Sequence, residues 1–533
     1  FHAPKRKHSC FITTTLWMVR LMRPLYFFIL LLLPSLSYSQ NLTTSLQILP
    51  GLWSSSVSFA DYDSDGDPDL LLAGLPGPAD GSEPLTLIYQ NKNSFFTNIS
   101  ADLTGVYLGQ CAWGDYDGDG DLDIALSGLT ANGEGTLKIY RNESGTFIED
   151  LTQNLIPLRY SALEWGDYDG DGDLDLVVSG MTAGGNANTI LYRNARIDRT
   201  RIGNSLGGRP LLERDEPNSQ RLINLSGGAL AWGDLDNDGD IDLAVSGFGT
   251  GGTRQALVYL NQPVGTLIQD ELSSDLTPIS GGDIAWADYD NDGDLDLAIS
   301  GWNAHWEATL KLYTNAAGIL RENTTFSSTR IMGSLAWGDY DNDGDLDLAI
   351  IGQTNNSDRF AIVLRNDPPG TFKEDRTLSL SGLRGGDLAW SDFDGDGDLD
   401  LLLSGEDSQG LRRTQLYTSN NVPVVNSPPL PPNRLGTPIV TSDGITLHWN
   451  DGTDTQSNAS ALTYTLRIGT SPGTHNIFSG AVQVGPGNVG NSKILKLAIP
   501  LARGTYYWGV RALDGVFRSS VESQEELFRV QDL

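Results

Sequence analysis

Seven copies of one acidic nonapeptide, Asp-x-Asp-x-Asp-Gly-Asp-x-Asp, recur along this chain, and no ordinary core can hold them. They comprise Asp61, Asp63, Asp65, Asp67 and Asp69; Asp115, Asp117, Asp119, Asp121 and Asp123; and Asp167, Asp169, Asp171, Asp173 and Asp175. The series continues with Asp234, Asp236, Asp238, Asp240 and Asp242, then Asp288, Asp290, Asp292, Asp294 and Asp296. It ends with Asp339, Asp341, Asp343, Asp345 and Asp347, followed by Asp392, Asp394, Asp396, Asp398 and Asp400. Carboxylates ~5 Å apart repel by about 3 kcal/mol at an effective dielectric near 20, so a cation is expected among them.

Calcium fits best. Oxygens from alternate positions can wrap one hard ion at about 2.3–2.6 Å, with water completing the shell and the glycine allowing the sharp turn. In the second copy the side chains of Asp115, Asp117, Asp119 and Asp123 and the backbone carbonyl of Asp121 are the expected ligands. Magnesium fits less well because it holds its waters. An EF-hand would place Glu at position 12, whereas here that position is Leu72, Leu126, Val178, Val245, Ile299, Ile350 or Leu403. The loop therefore runs into a buried strand. About seven Ca2+ ions are expected, one per loop.

Successive loops start 54, 52, 67, 54, 51 and 53 residues apart, too long for a leucine-rich repeat. Each unit alternates apolar and polar residues at period 2, as in Leu346 to Ile350 and Thr136 to Asn142, which is the pattern of short strands and hairpins. An aromatic stands two residues before every loop: Phe59, Trp113, Trp165, Trp232, Trp286, Trp337 and Trp390. These are expected to pack between neighbouring units, with sugar stacking as the alternative. The last unit lacks its outer strand, and Ser45 to Leu52 is expected to supply it and latch a closed ring.

The loops, each followed by Leu-Asp-Leu-Ala-Ile-Ser-Gly or a close variant, resemble the FG-GAP or VCBS repeats of bacterial surface proteins, related to the propeller of integrin α subunits. The resemblance covers residues 40–421. It implies a seven-bladed β-propeller with calcium in the blade loops and a role in adhesion or ligand binding. Integrins carry metal loops in only some blades, so their partner recognition is not transferred.

The expected organisation has four parts. Residues 1–39 hold a secretory signal with an upstream extension, read from the apolar run Leu25 to Leu33 behind Arg20 and Arg23. The propeller occupies 40–421, a Pro-rich linker 422–430, and a small β-sandwich 431–533. In the last, Trp449 and the strand around Tyr506 resemble a fibronectin type III module. The fold class is thus all-β: a seven-bladed β-propeller followed by a fibronectin type III-like sandwich.

The net charge is −33, but 35 of the 68 acids belong to the loops, so acidity here is a metal-site signature. It argues against nucleic acid as a partner. Nothing after the leader is long enough to span a bilayer. Only Cys111 remains beyond the leader, so no internal disulfide is expected.

Outside the loops, His305, His448 and His475 are the only histidines beyond the leader, and no nucleophile elbow or metalloprotease helix occurs. The expectation is a secreted or cell-surface, monomeric, non-enzymatic protein that binds an extracellular glycan or protein. A calcium-stabilised lectin using Trp302, His305 and Trp306 is the alternative, and a polysaccharide-degrading component is a further one. An insertion between Arg193 and Arg221 carries seven Arg against four acids, a basic loop suited to an anionic polysaccharide or simply a surface insertion.

Overall fold

The computed structural model describes residues 42–531 apart from 78–82, 195–210, 274, 327–329, 420–425, 442–443, 481–482, 488, 499–500 and 502. The expected leader and the first part of the linker lie outside the described residues, as do Arg196, Arg199, Arg201 and Arg209 of the insertion. No helix among the described residues is long and apolar enough to cross a membrane.

The chain is all-β, built from antiparallel sheets. From residue 52 onward it forms successive four-stranded units, typified by Cys111–Gly114, Asp123–Leu129, Gly135–Glu143 and Thr146–Glu149. The acidic loop joins the first two strands of each unit. The strand that leaves the loop is the most buried one: every residue of Asp123–Leu129 is buried. That explains the apolar residue at position 12, where an EF-hand would need a ligand.

Seven such units follow one another and close into a propeller-like ring. Neighbours are joined by aromatic stacking: Tyr62 on Trp113 at 5.9 Å between centroids, Tyr116 on Trp165 at 5.9 Å, Tyr168 on Trp232 at 6.4 Å. Tyr289 on Trp337 at 5.9 Å and Tyr340 on Trp390 at 6.0 Å continue the series, and Phe59 on Phe393 at 6.4 Å joins the last unit to the first. Each pair sets the aromatic two residues before a loop against position 2 of the preceding loop, Phe393 being position 2 of the seventh; at the fourth-to-fifth junction that position is Leu235 and Trp286 packs without an aromatic partner from it. The aromatic series thus packs the units together. The glycine after the tryptophan is required by this contact: a Cβ at Gly114 would lie 2.6 Å from the Trp165 ring.

Closure uses an N-terminal strand, with a shift from the expected segment. Leu42–Thr44, not Ser45 to Leu52, completes the seventh unit, pairing Leu42 with Ser419 and Thr44 with Tyr417. Three residues suffice because the outer strand of every unit is short, and Leu52 already begins the innermost strand of the first unit, Leu52–Ala60. The intervening Leu46 and Ile48 are 98% and 93% exposed despite their alternation with polar residues.

Beyond residue 426 two three-stranded sheets pack face to face. One joins Ile439–Val440, Ile445–His448 and Ile494–Leu497; the other joins Thr463–Gly469, Gly504–Leu513 and Glu526–Val530. Their core contains Trp449, Tyr464, Leu466, Trp508 and Val510. Trp449 meets Tyr464 edge-on at 6.0 Å, and Tyr506 stacks on Phe528 at 5.2 Å.

Candidate metal centres and their cover

Each loop is wound by two left-handed residues. Position 6 is always glycine, with φ from 85° at Gly172 to 100° at Gly397. Position 4 is left-handed too, at Ser64, Gly118, Gly170, Asn237, Asn291, Asn342 and Gly395. Asparagine and glycine tolerate that region best, which accounts for the residues found there.

This winding aims the first acid inward. Asp288 accepts the N–H of Asp292 at 3.0 Å and of Gly293 at 2.9 Å, and the same pair of bonds recurs at Asp61, Asp115, Asp167, Asp234 and Asp339. The ninth acid is held from two sides. Asp296 accepts the N–H of Tyr289 at 3.2 Å on one oxygen and of Asn315 at 2.7 Å on the other. The fifth acid accepts the N–H of position 7, as Asp292 does from Asp294 at 3.0 Å.

Positions 1, 3 and 9 converge. Asp61, Asp63 and Asp69 bring ligand oxygens within 4.8 Å of one another, as do Asp115, Asp117 and Asp123; Asp167, Asp169 and Asp175; Asp234, Asp236 and Asp242; and Asp288, Asp290 and Asp296. Two further groups of three or more metal-capable side chains occur among the described residues. The seventh acid turns outward in several loops. Asn237 donates to Asp294 at 2.8 Å, Asn291 to Asp345 at 2.6 Å and Asn342 to Asp398 at 2.6 Å, each from position 4 of one unit to position 7 of the next. The structure thus gathers 1, 3 and 9 and spends the side chains of 5 and 7 on the loop's own backbone or a neighbour.

The donor set fits a hard cation. Oδ1 of Asp63, Asp236, Asp290 and Asp341 is buried with no hydrogen-bond donor among the described residues. Such an atom costs several kcal/mol unless a cation meets it. Protein burial, and then repulsion from the other loop acids, pushes Asp296 up to about 9 and Asp400 to about 9. A carboxylate driven that far out of its ordinary range marks a site built for a positive charge. These repeated buried triads are consistent with Ca2+ sites.

An asparagine that sequence reasoning did not single out ties the loops together. Besides donating its N–H to Asp296, Asn315 donates from Nδ2 to the Leu235 carbonyl of the previous loop at 2.8 Å and to Leu295 at 3.0 Å. Asn142, Asn194, Asn261 and Asn366 repeat this reach across to the previous loop. The signal was available: 19 residues separate the ninth acid from this position in six units, and 22 in the first.

The C-terminal sheets lie over the loops. Val484 N–H donates to the Phe59 carbonyl at 2.7 Å beside the first loop, His475 Nε2 lies 3.4 Å from the Asp119 carbonyl at the second, and Ala498 N–H donates to Gly170 at 2.7 Å at the third. Lys496 Nζ sits 3.4 Å from Asp238, and Asn491 donates to Gly293 at 3.1 Å. Asp339 N–H donates to the Gly515 carbonyl at 3.0 Å, and Arg518 lies 3.4 Å from Asp392. Six of the loops, and the strand that leads into the first, therefore touch one cover.

A family model described as FG-GAP-like repeat matches residues 61–126, 115–178, 234–299 and 339–403. Those stretches are FG-GAP-like repeats. The chain is similar to cartilage acidic protein 1 of Xenopus tropicalis, 25% identical over 385 residues, covering 65% of this chain and 57% of that protein. It is likewise similar to cartilage acidic protein 1 of Mus musculus, 25% identical over 418 residues, covering 69% and 61% respectively. The chain thus spans about three fifths of these relatives' length. Among solved structures, AofleA from Arthrobotrys oligospora aligns at 11% identity and TM-score 0.35 over 61% of this chain and 86% of that one. The extracellular domain of BT4673 from B. thetaiotaomicron aligns at 10% identity and TM-score 0.35 over 92% and 59%.

Of the other residues singled out in the sequence, Trp302 lines a cavity at the centre of the ring, Trp306 is 65% exposed and His305 is exposed beside it. In the insertion, Asp215 caps the helix Glu216–Arg221 and accepts the Tyr168 hydroxyl at 2.6 Å. Asp150 accepts Tyr116 at 2.6 Å in the same way, so this acid serves the fold.

Proposed function

We propose that the chain is a secreted or cell-surface, calcium-stabilised seven-bladed β-propeller with a fibronectin type III-like cover, acting as a non-enzymatic ligand-binding or adhesion module. One observation carries this reading: the same acidic triad recurs from loop to loop, and six of the seven loops are contacted by the C-terminal domain. A metal used for chemistry needs an open coordination place facing substrate, whereas repeated, covered sites suit a metal that holds loops in shape. About seven Ca2+ ions would then act as cross-links between strands of each blade, in a chain whose Cys111 is buried and free.

The histidines support a non-enzymatic role. His305 and His448 are exposed, and His475 rests on the second loop. The test is an array of glycans and matrix proteins probed with residues 40–533 in millimolar calcium and again in EDTA. Calcium-dependent capture of a defined ligand is expected. Turnover of a polysaccharide in the same samples, with release of reducing ends or unsaturated products, would overturn the non-enzymatic reading.

A further inference from the structure

The innermost strand of each unit ends at a metal loop, and its other end opens on the opposite side of the ring. In the sixth unit Ile331–Gly338 spans eight residues, roughly 25 Å at about 3.3 Å per residue. With the loop side roofed by the C-terminal domain, a ligand has access to the ring centre from the far side. There the starts of the innermost strands from all seven units enclose a cavity of about 530 Å3.

A chain of backbone hydrogen bonds rims this cavity. Ser54 donates to Gly385 at 2.5 Å, Leu108 to Ser54 at 3.2 Å, Ser161 to Leu108 at 3.4 Å, Gly227 to Tyr160 at 2.9 Å and Gly281 to Gly227 at 2.7 Å. Each junction uses a left-handed residue: Ser54, Leu108, Tyr160, Gly227, Gly281 and Gly385 all have φ between 48° and 66°. The sixth unit breaks the pattern. Its first strand pairs without a bulge from Ile331 opposite Thr354 to Gly338 opposite Asp347, so no left-handed residue projects to the rim. Among the described residues, the Gly281 carbonyl and the Gly385 N–H lack the rim partner that the other units provide.

The side chains at this gap are of mixed kind. Trp302 and Trp53 supply aromatic faces, and Gln353 and Arg384 stand together, Arg384 donating to Gln353 at 3.2 Å. Asp283 and Asp387 line the floor, clamped by neighbours: Asp283 accepts Leu335 N–H at 3.0 Å, Asp387 accepts Val57 N–H at 3.0 Å, and Ser334 donates to Asp387 at 2.6 Å. They are therefore fixed in place.

We propose that this cavity binds a neutral saccharide of about one or two rings, gripped where the rim is broken at the sixth unit. The proposal rests on the ligand-binding reading above and assigns its site and ligand class. The volume lies in the range of small-molecule sites, about 300–1,000 Å3. An apolar ligand would strip water from the Gln353 amide and from the two peptide groups that lack a partner among the described residues, without replacing it. A phosphate, sulfate or uronate would face the carboxylates of Asp283 and Asp387, with Glu164 nearby. A neutral sugar supplies hydroxyls that both donate and accept, and a C–H face for the tryptophans.

The test compares wild type, Trp302→Ala and Gln353→Ala, with Trp306→Ala outside the cavity as control. The probes are immobilised neutral glycans ending in hexose or N-acetylhexosamine, with heparin and hyaluronan as anionic ones, alongside matrix proteins. Wild type and W306A are expected to bind a neutral class equally, W302A about ten-fold more weakly, and Q353A several-fold more weakly. Undiminished neutral-glycan binding by both cavity variants overturns the site and leaves the ligand-binding reading standing. Capture of heparin, hyaluronan or matrix proteins alone overturns the ligand class with the same reading intact. Silence on the whole array overturns both. If W302A does not fold, Q353A and Trp302→Phe carry the comparison.

Discussion

Arg518 of the C-terminal domain places Nε 3.4 Å from Oδ2 of Asp392, the first acid of the seventh loop, and its NH2 donates to the Gly395 carbonyl in the same loop at 3.3 Å. A second cation from the same domain, Lys496, addresses the fourth loop. The half-buried Arg518 bridge is expected to contribute about 1 kcal/mol. Arg518→Ala combined with Lys496→Ala should therefore lower the denaturation midpoint and raise the rate of proteolytic cutting near the linker. Unchanged proteolysis would show that the backbone contacts alone seat the cover.

Removal of calcium should be felt by the whole ring. A site held at 100 times its dissociation constant contributes about 2.7 kcal/mol, so calorimetry in EDTA should show a large fall in melting temperature. Identical melting with and without chelator would rule out structural calcium.

Asp290 offers a sharper version. Its Oδ1 is buried without a hydrogen-bond donor among the described residues, so Asp290→Asn, which keeps the shape and removes the charge, should weaken the fifth site and spare the rest. Metal counting by mass spectrometry should register the loss of one ion. A full complement would reassign the ligands.

Asn315 links its own loop to the one before. Asn315→Ala would leave the buried Leu235 carbonyl and the partly buried Leu295 carbonyl without their donor, a loss of about 2 kcal/mol by urea denaturation. Trp337→Ala should cost about 3–5 kcal/mol because the ring fills the interface with Tyr289 and Phe372. Trp306→Ala, at the surface where Arg254 lies 3.9 Å over the ring, should cost no more than about 1 kcal/mol. Equal costs for the two tryptophans would contradict the packing role.

Glu164 provides a pH readout away from the loops. Burial, and then repulsion from Asp283, pushes it up to about 8. The folded state then holds this proton more tightly than the unfolded chain, so the Glu164 contribution to stability is fully present below the ordinary carboxylate range and is lost as pH rises toward 8. Glu164→Gln should remove that part of the decline and stabilise the protein at pH 8 by roughly 1–3 kcal/mol. The same pH slope in wild type and variant would refute it.

The loops, their strands and the packing tryptophans were legible because each repeats at a fixed register, so a local rule applied seven times. The latch was read eight residues wide at Ser45 to Leu52 because Leu46 and Ile48 mimic a strand; only pairing geometry shows that Leu42–Thr44 takes the place. The asparagine was visible in the spacing, yet its role depends on a carbonyl in another unit. The cover was not legible at all: His475, Asn491, Lys496 and Arg518 follow no period, and their partners lie over a hundred residues away. The gap at the sixth unit had a faint trace, since Gly227-Gly228, Gly281-Gly282 and Gly385-Gly386 have no counterpart at Ile331-Met332.

The strand at Leu42–Thr44 has a further consequence for how the molecule is made. Its partner lies 375 residues later, so during synthesis the earliest segment of the ring waits, unpaired, until the final sheet emerges. Such distant pairing slows folding, and a ribosome-bound chain lacking only its last repeat would be an open arc with two bare edges, the state most exposed to proteases and to mispairing with another copy.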